Sequence, residues 1–158
     1  MPTTDAVHKA GQAVAACEFG IQFDRILLDG QPGNDLKVGD WLYLPATNCR
    51  QVRSRHENLI ATLFAGREAT QVLLGKSSEK DEDYRNAKQY IETWLAWLEE
   101  PSVGIMTKQR GRAARLMQRK KRAVLRVAIE LDSRRILTAR QVRILCKRRG
   151  SGLVSESD

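Results

Sequence analysis

Residues 112–131 place arginine and apolar side chains on opposite sides of one helix, and this most constrains what the chain can become. At about 100° per residue, Arg112, Arg115, Arg119, Arg122 and Arg126 fall within an arc of about 80°. Ala113, Met117, Val124, Val127, Ala128 and Leu131 occupy the other side. Lys120 and Lys121 interrupt the apolar side, where their aliphatic stems can lie flat while the ammonium groups reach water. An amphipathic helix of this kind needs a core to cover its apolar face, so the remaining chain must supply one.

The rest of the sequence has the helical periodicity to do so. Ala6–Phe19 is alanine-rich and predicts a helix closed by Gly20. Ser54 and Glu57 have capping-box spacing, and His56, Leu59, Ile60, Leu63 and Phe64 then recur at helical intervals up to Gly66. A shorter helical piece around Ala69, Val72 and Leu73 should end at Gly75. From Asp81 to Leu98 one stripe contains Tyr84, Ala87, Ile91, Trp94, Leu95 and Leu98, widened by Tyr90 and Trp97, with Pro101 at the exit. Aromatics sharing a stripe with Ile91 and Leu98 read as core; Trp97 lies furthest round from it and is the one expected to touch a partner or stack on a base. Glu99 and Glu100 sit poorly at a helix C-terminus unless cations lie nearby, and the following basic segment could supply them.

Two apolar runs, Ile21–Leu28 and Leu36–Leu44, flank the turn-rich "DGQPGND", which predicts a small β-hairpin or a single strand near residues 21–45. "FGIQFDRIL" followed by "LKVGDWLYLP" resembles the second half of a LysM module, a small glycan-binding β-α-α-β fold, over at most residues 4–46. The stretch "GQAVAACEFG" is about two residues short for that module's first helix. A Gly-Asp turn feeding an apolar strand accounts for the same letters, and no glycan-binding residue is carried over.

The expected fold is mainly α, with a small β element and a compact helical body presenting a basic helical unit. Charge segregates along the chain in the same way. Residues 1–106 hold 11 Lys/Arg against 15 Asp/Glu, a mildly acidic body. Residues 107–150 hold 16 Lys/Arg and only two acids, Glu130 and Asp132, for a net +14 within a protein of net +8. Residues 151–158, "SGLVSESD", read as a frayed acidic tail. Thr138-Ala139-Arg140-Gln141 is a second capping box, opening a short helix whose apolar face is Val142, Leu145 and Cys146 and which Gly150 would end. Arg140, Arg143, Lys147, Arg148 and Arg149 surround that face, and Arg134 and Arg135 lie in the connector "LDSRRIL". That connector is longer than a helix-turn-helix turn.

Like charges at three- and four-residue spacing repel by a few tenths of a kcal/mol per pair, so folding alone gives no reason for an arginine row. A polyanion does, because guanidinium groups fork onto phosphate oxygens. The sequence therefore predicts a non-enzymatic accessory or regulatory protein that binds RNA or DNA backbone, RNA slightly favoured, through Arg112, Arg115, Arg119, Lys120, Lys121, Arg122, Arg126, Arg134, Arg135 and the basic residues of the second helix, Arg140, Arg143, Lys147, Arg148 and Arg149. The alternative is an adaptor or inhibitor docking these helices on an acidic protein. A membrane-surface helix would show bulkier residues than Ala, Val and Met opposite the charges. Alanine-rich faces would also allow a homodimer, which would double the cationic surface.

Catalytic and cofactor signatures do not emerge. No paired carboxylates, nucleophile–base set or metal cluster stands out, so neither catalysis, a metal nor a cofactor is expected. "LLGKSSEK" imitates a phosphate loop, but Thr70 stands where a second glycine is required, leaving the segment a linker with Ser78 as an N-cap. His56 reads as a surface histidine. Cys17, Cys49 and Cys146 are odd in number and widely spaced, which suits idle thiols in a reducing compartment. No run is long enough to span a membrane, and "MPTTDAVHKAGQAVAACEFG" lacks the order of a secretory signal. The expectation is an intracellular protein, cytoplasmic, or nuclear in a nucleated cell through "QRKKR" at 118–122.

Overall fold

The computed structural model describes residues 1–28, 49–76 and 82–148, with the side chains of Cys49, Glu82 and Trp97 left out. It has five helices, α1 (Thr4–Glu18), α2 (Cys49–Leu74), α3 (Glu82–Trp94), α4 (Ser102–Arg134) and α5 (Ala139–Lys147), and two short strands, β1 (Arg25–Leu27) and β2 (Ile136–Thr138). Eighty per cent of it is helical, so the fold is mainly α with a small antiparallel β element. The run Leu36–Leu44, the turn before it, Pro45, Ser78, Arg149, Gly150 and the acidic tail lie outside the described residues.

Three helices make the core. α1, α2 and α4 pack on one another, α3 lies across α2 and α4, and α5 closes against α4 and α1. Small residues set how close α1 and α2 come. Ala6, Ala10, Ala13, Ala15 and Ala16 are all buried. A Cβ built on Gly11 would stand 2.5 Å from the Ala69 Cβ and 2.7 Å from the Ala65 carbonyl oxygen. On the facing helix, a Cβ at Gly66 would meet the His8 imidazole at 2.6 Å.

This close approach corrects two boundaries expected from sequence. Gly66 does not stop a helix: α2 runs unbroken to Leu74, and the chain turns at Gly75, whose φ is +65°. Packing retains Gly66 mid-helix because any side chain would displace His8. Nor is Ser54 an N-cap. α2 begins at Cys49, so Ser54 is interior, and Glu57 reaches across to α4 instead of back to the helix start. α1 follows expectation closely, ending at Glu18 with Phe19 as its C-cap and Gly20 at φ +70°.

The aromatic helix is also shorter than its periodicity predicts. α3 stops at Trp94, and Ala96–Leu98 forms a single 3-10 turn. Ala87, Ile91 and Leu95 are buried, whereas Tyr84 and Trp94 are exposed. The cation that offsets Glu100 comes from α2, not from the basic segment: Arg53 pairs with it at 3.0 Å.

β1 pairs antiparallel with β2, while the run Leu36–Leu44, expected as its hairpin partner, lies outside the described residues. Ile26 faces Leu137, both buried, with Arg25 opposite Thr138 and Leu27 opposite Ile136. Residues 1–28 thus form a helix and then a strand whose partner lies near the other end of the chain, which is not the order of a LysM module. The connector "LDSRRIL" is consumed by the end of α4, one left-handed residue, Arg135 at φ +69°, and β2. Its geometry is therefore a helix, a strand and a helix. Leu28 N–H donates to the Arg135 carbonyl and Ala139 N–H to the Asp24 carbonyl, extending the ladder at both ends. Lys9 of α1 donates to the Leu27 and Leu28 carbonyls, tying β1 to the first helix.

Candidate nucleic-acid interface

α4 has the amphipathic division expected of it. Ala113, Met117, Val124, Val127, Ala128 and Leu131 are buried, joined by Ile105, Met106, Leu116 and Ala123. Gln109 is also fully buried and donates to Glu57 at 2.8 Å. The helix begins at Ser102, so it crosses from the acidic into the basic part of the sequence without a break.

Position decides what each basic residue of α4 does. Near its start, Lys108 lies 3.7 Å from Glu57 and Arg110 pairs with Glu68 at 3.0 Å. Arg112 is half-buried: it donates to the Gln109 amide oxygen at 2.6 Å and to Asn58 at 2.8 Å, and its guanidinium lies 5.0 Å over the Phe19 ring. Further along, Lys120 pairs with Glu18 at 3.3 Å. Arg126 donates to the Leu145 carbonyl at 3.0 Å, satisfying one of the acceptors left free in the last turn of α5. Between these anchors Arg115, Arg119 and Arg122 are exposed, as is Lys121 further round the helix. Among the described residues no carboxylate pairs with Arg115, Arg119 or Arg122.

The two acids of the basic segment are both engaged elsewhere. Asp132 accepts from the Thr3 N–H at 3.0 Å and the Thr3 hydroxyl at 2.9 Å, clamping the start of α1. Glu130 pairs with Arg134, one turn on. Arg135 closes α4, its N–H donating to the Leu131 carbonyl at 2.7 Å.

α5 adds a second basic surface. Its start is the expected capping box: Thr138 accepts from the Gln141 N–H, and the Gln141 side chain accepts from the Thr138 N–H. Ala139, Val142 and Leu145 are buried, which turns Arg140, Arg143, Lys147 and Arg148 outward. Because Arg126 reaches the last turn of α5, the exposed row of α4 leads toward Lys147 and Arg148. Three large apolar side chains, Ile129, Ile136 and Ile144, are exposed among these cations, a feature that charge counting passes over.

The aromatic residues are placed differently from expectation. Trp94 is 45% exposed and stacks on His56, with ring centroids 6.3 Å apart. His56 is buried, not a surface residue; it contacts the Tyr90 hydroxyl through Nδ1, and burial lowers its pKa. Trp97, the aromatic singled out from sequence, has its side chain outside the described structure. The burial of His56 comes from α3, whose Tyr90 and Trp94 lie against the imidazole.

No helix of the described residues is long and apolar enough to cross a membrane. The described residues contain no group of three or more His, Cys, Asp or Glu able to hold a metal ion. No protein-family model matches the sequence, and no curated protein matches it.

Proposed function

We propose that this protein binds nucleic acid through the phosphate backbone, RNA before DNA, as a non-enzymatic accessory or regulatory factor. One observation carries the reading. Arg115, Arg119 and Arg122 form an exposed row with no carboxylate beside it among the described residues, while Asp132 and Glu130 are held by Thr3 and Arg134. Repulsion within such a row is relieved by a polyanion, and binding of this type gains affinity from counterion release without reading sequence. Arg140, Arg143, Lys147 and Arg148 extend the surface along α5, whereas Arg112 and Arg126 are tied to Asn58 and the Leu145 carbonyl and Lys120 pairs with Glu18 at the surface. An arginine-faced helix suits the deep groove of distorted A-form RNA, which sets the order of substrates to test.

Fluorescence anisotropy with labelled single-stranded RNA, duplex RNA and duplex DNA over a range of salt tests this. Replacing Arg115, Arg119 and Arg122 together by Ala should flatten the log K against log salt slope by about 2 for single strands and about 3 for duplex. An unchanged slope removes α4 from the binding site.

A second reading rests on the exposed Ile129, Ile136 and Ile144. Apolar side chains set among cations fit an acidic protein surface better than a phosphate backbone. Ile129→Ser with Ile144→Ser separates the two: nucleic-acid affinity should hold, and docking on a protein partner should fail.

A further inference from the structure

Of the described residues between Arg110 and Arg126, Gln118 is the one exposed side chain without a charge, and cations flank it on both sides. At about 100° per residue, Arg122 lies about 40° and Arg115 about 60° to one side of it, with Lys121 about 60° to the other. All three cations are exposed and stand within about one turn of it along the axis. Across its width, the outer face of α4 therefore runs cation, amide, cation.

The surroundings leave that amide uncovered. The Arg115 guanidinium lies back toward Gly111, where a Cβ would stand 3.4 Å from its Nη1, and so points away from Gln118. Ala114, one turn before Gln118, is too short to reach over it. No hydrogen bond within the described residues uses the Gln118 carboxamide.

A helix laid in a nucleic-acid groove meets phosphates along its flanks and base edges beneath its centre. Arg115 and Arg122 on one flank and Lys121 on the other match the two backbones. The group between them faces the bases, and a carboxamide both donates and accepts. Adenine uses both functions, its N7 accepting from the side-chain N–H and its N6 amino group donating to the side-chain oxygen. The deep groove of regular A-form RNA is too narrow for this, so the duplex must be opened locally.

We propose that Gln118 is a specificity-determining residue that reads adenine in the deep groove of an RNA duplex widened by a bulge. The assignment rests on the backbone-binding reading above and goes beyond it, because counterion release distinguishes no base.

The test is fluorescence anisotropy of the full chain with one bulged RNA duplex in three forms. The pairs beside the bulge are A·U, G·C, or A·U with 7-deazaadenine, which lacks the N7 acceptor but still pairs with uracil. An A·U duplex without the bulge is the fourth ligand. Wild type should bind the bulged A·U form at least about fivefold more tightly than each of the others. Gln118→Ala, an exposed change to a good helix former, should bind the three bulged forms equally, with the wild-type salt slope and unfolding midpoint. The assignment is overturned if wild type binds the three bulged forms alike, if the unbulged duplex binds as tightly, or if Gln118→Ala keeps the preference. Salt-dependent binding in those cases leaves the backbone reading standing; no salt-dependent binding to any of the four overturns both.

Discussion

The two ends of the arginine row and its middle use the same residue on the same helix face for different purposes. Arg112 is held by Gln109, Asn58 and the Phe19 ring, and Arg126 by the Leu145 carbonyl. Arg115, Arg119 and Arg122, one or two turns away, are exposed. The difference lies in what stands opposite. α2 and α1 approach α4 beside Arg112, and the end of α5 reaches it beside Arg126, whereas neither acidic residue of the basic segment is turned toward the middle. Basic residues become a binding surface only where the fold withholds partners from them.

That comparison can be broken directly. The largest effect should come from replacing the middle three arginines by Ala together: nucleic-acid affinity should fall on the order of a hundredfold near 0.1 M salt, while thermal stability stays within about 0.5 kcal/mol of wild type. Loss of stability comparable with the loss of binding would mean that the middle is structural after all. Arg112→Ala should do the reverse. Removing a half-buried charged donor from Asn58 and Gln109 should cost about 2 kcal/mol in urea unfolding and leave the salt slope unchanged. Arg110→Ala, which breaks a half-exposed pair with Glu68, should cost under about 1 kcal/mol and also leave binding alone.

His56 provides a smaller test on the opposite side of α2. Burial depresses its folded pKa, so the unfolded chain holds the extra proton in the window just below the ordinary histidine value. Stability is full above about pH 6.5 and falls as pH drops through the depressed folded pKa. Melting temperatures at pH 7.5 and 5.5 should therefore differ more for wild type than for His56→Gln. Equal differences would show that other groups carry the acid sensitivity.

Much of the local structure was legible from residue spacing. The helix ending at Gly20, the division of α4 into apolar and cationic sides, and the Thr138–Gln141 capping box all follow from contacts within a turn or two, which a periodic pattern records. Gly66 misled because glycine writes the same letter for a helix end and for a close crossing of two helices. His56 and Trp94 exchanged their expected exposures because that depended on how α3 lies across α2.

The sequence alone determined that the chain is mainly helical and that its cations concentrate on α4 and α5, since helical periodicity and charge are properties of neighbouring residues. Only the tertiary structure decided which arginines are committed to the fold and which face outward. It also decided that β1 pairs with β2, and that Arg126 reaches the Leu145 carbonyl. Each of these needs two segments far apart in sequence to arrive at one place. That is set by the packing of α1, α2 and α4 around their shared core, not by any local pattern.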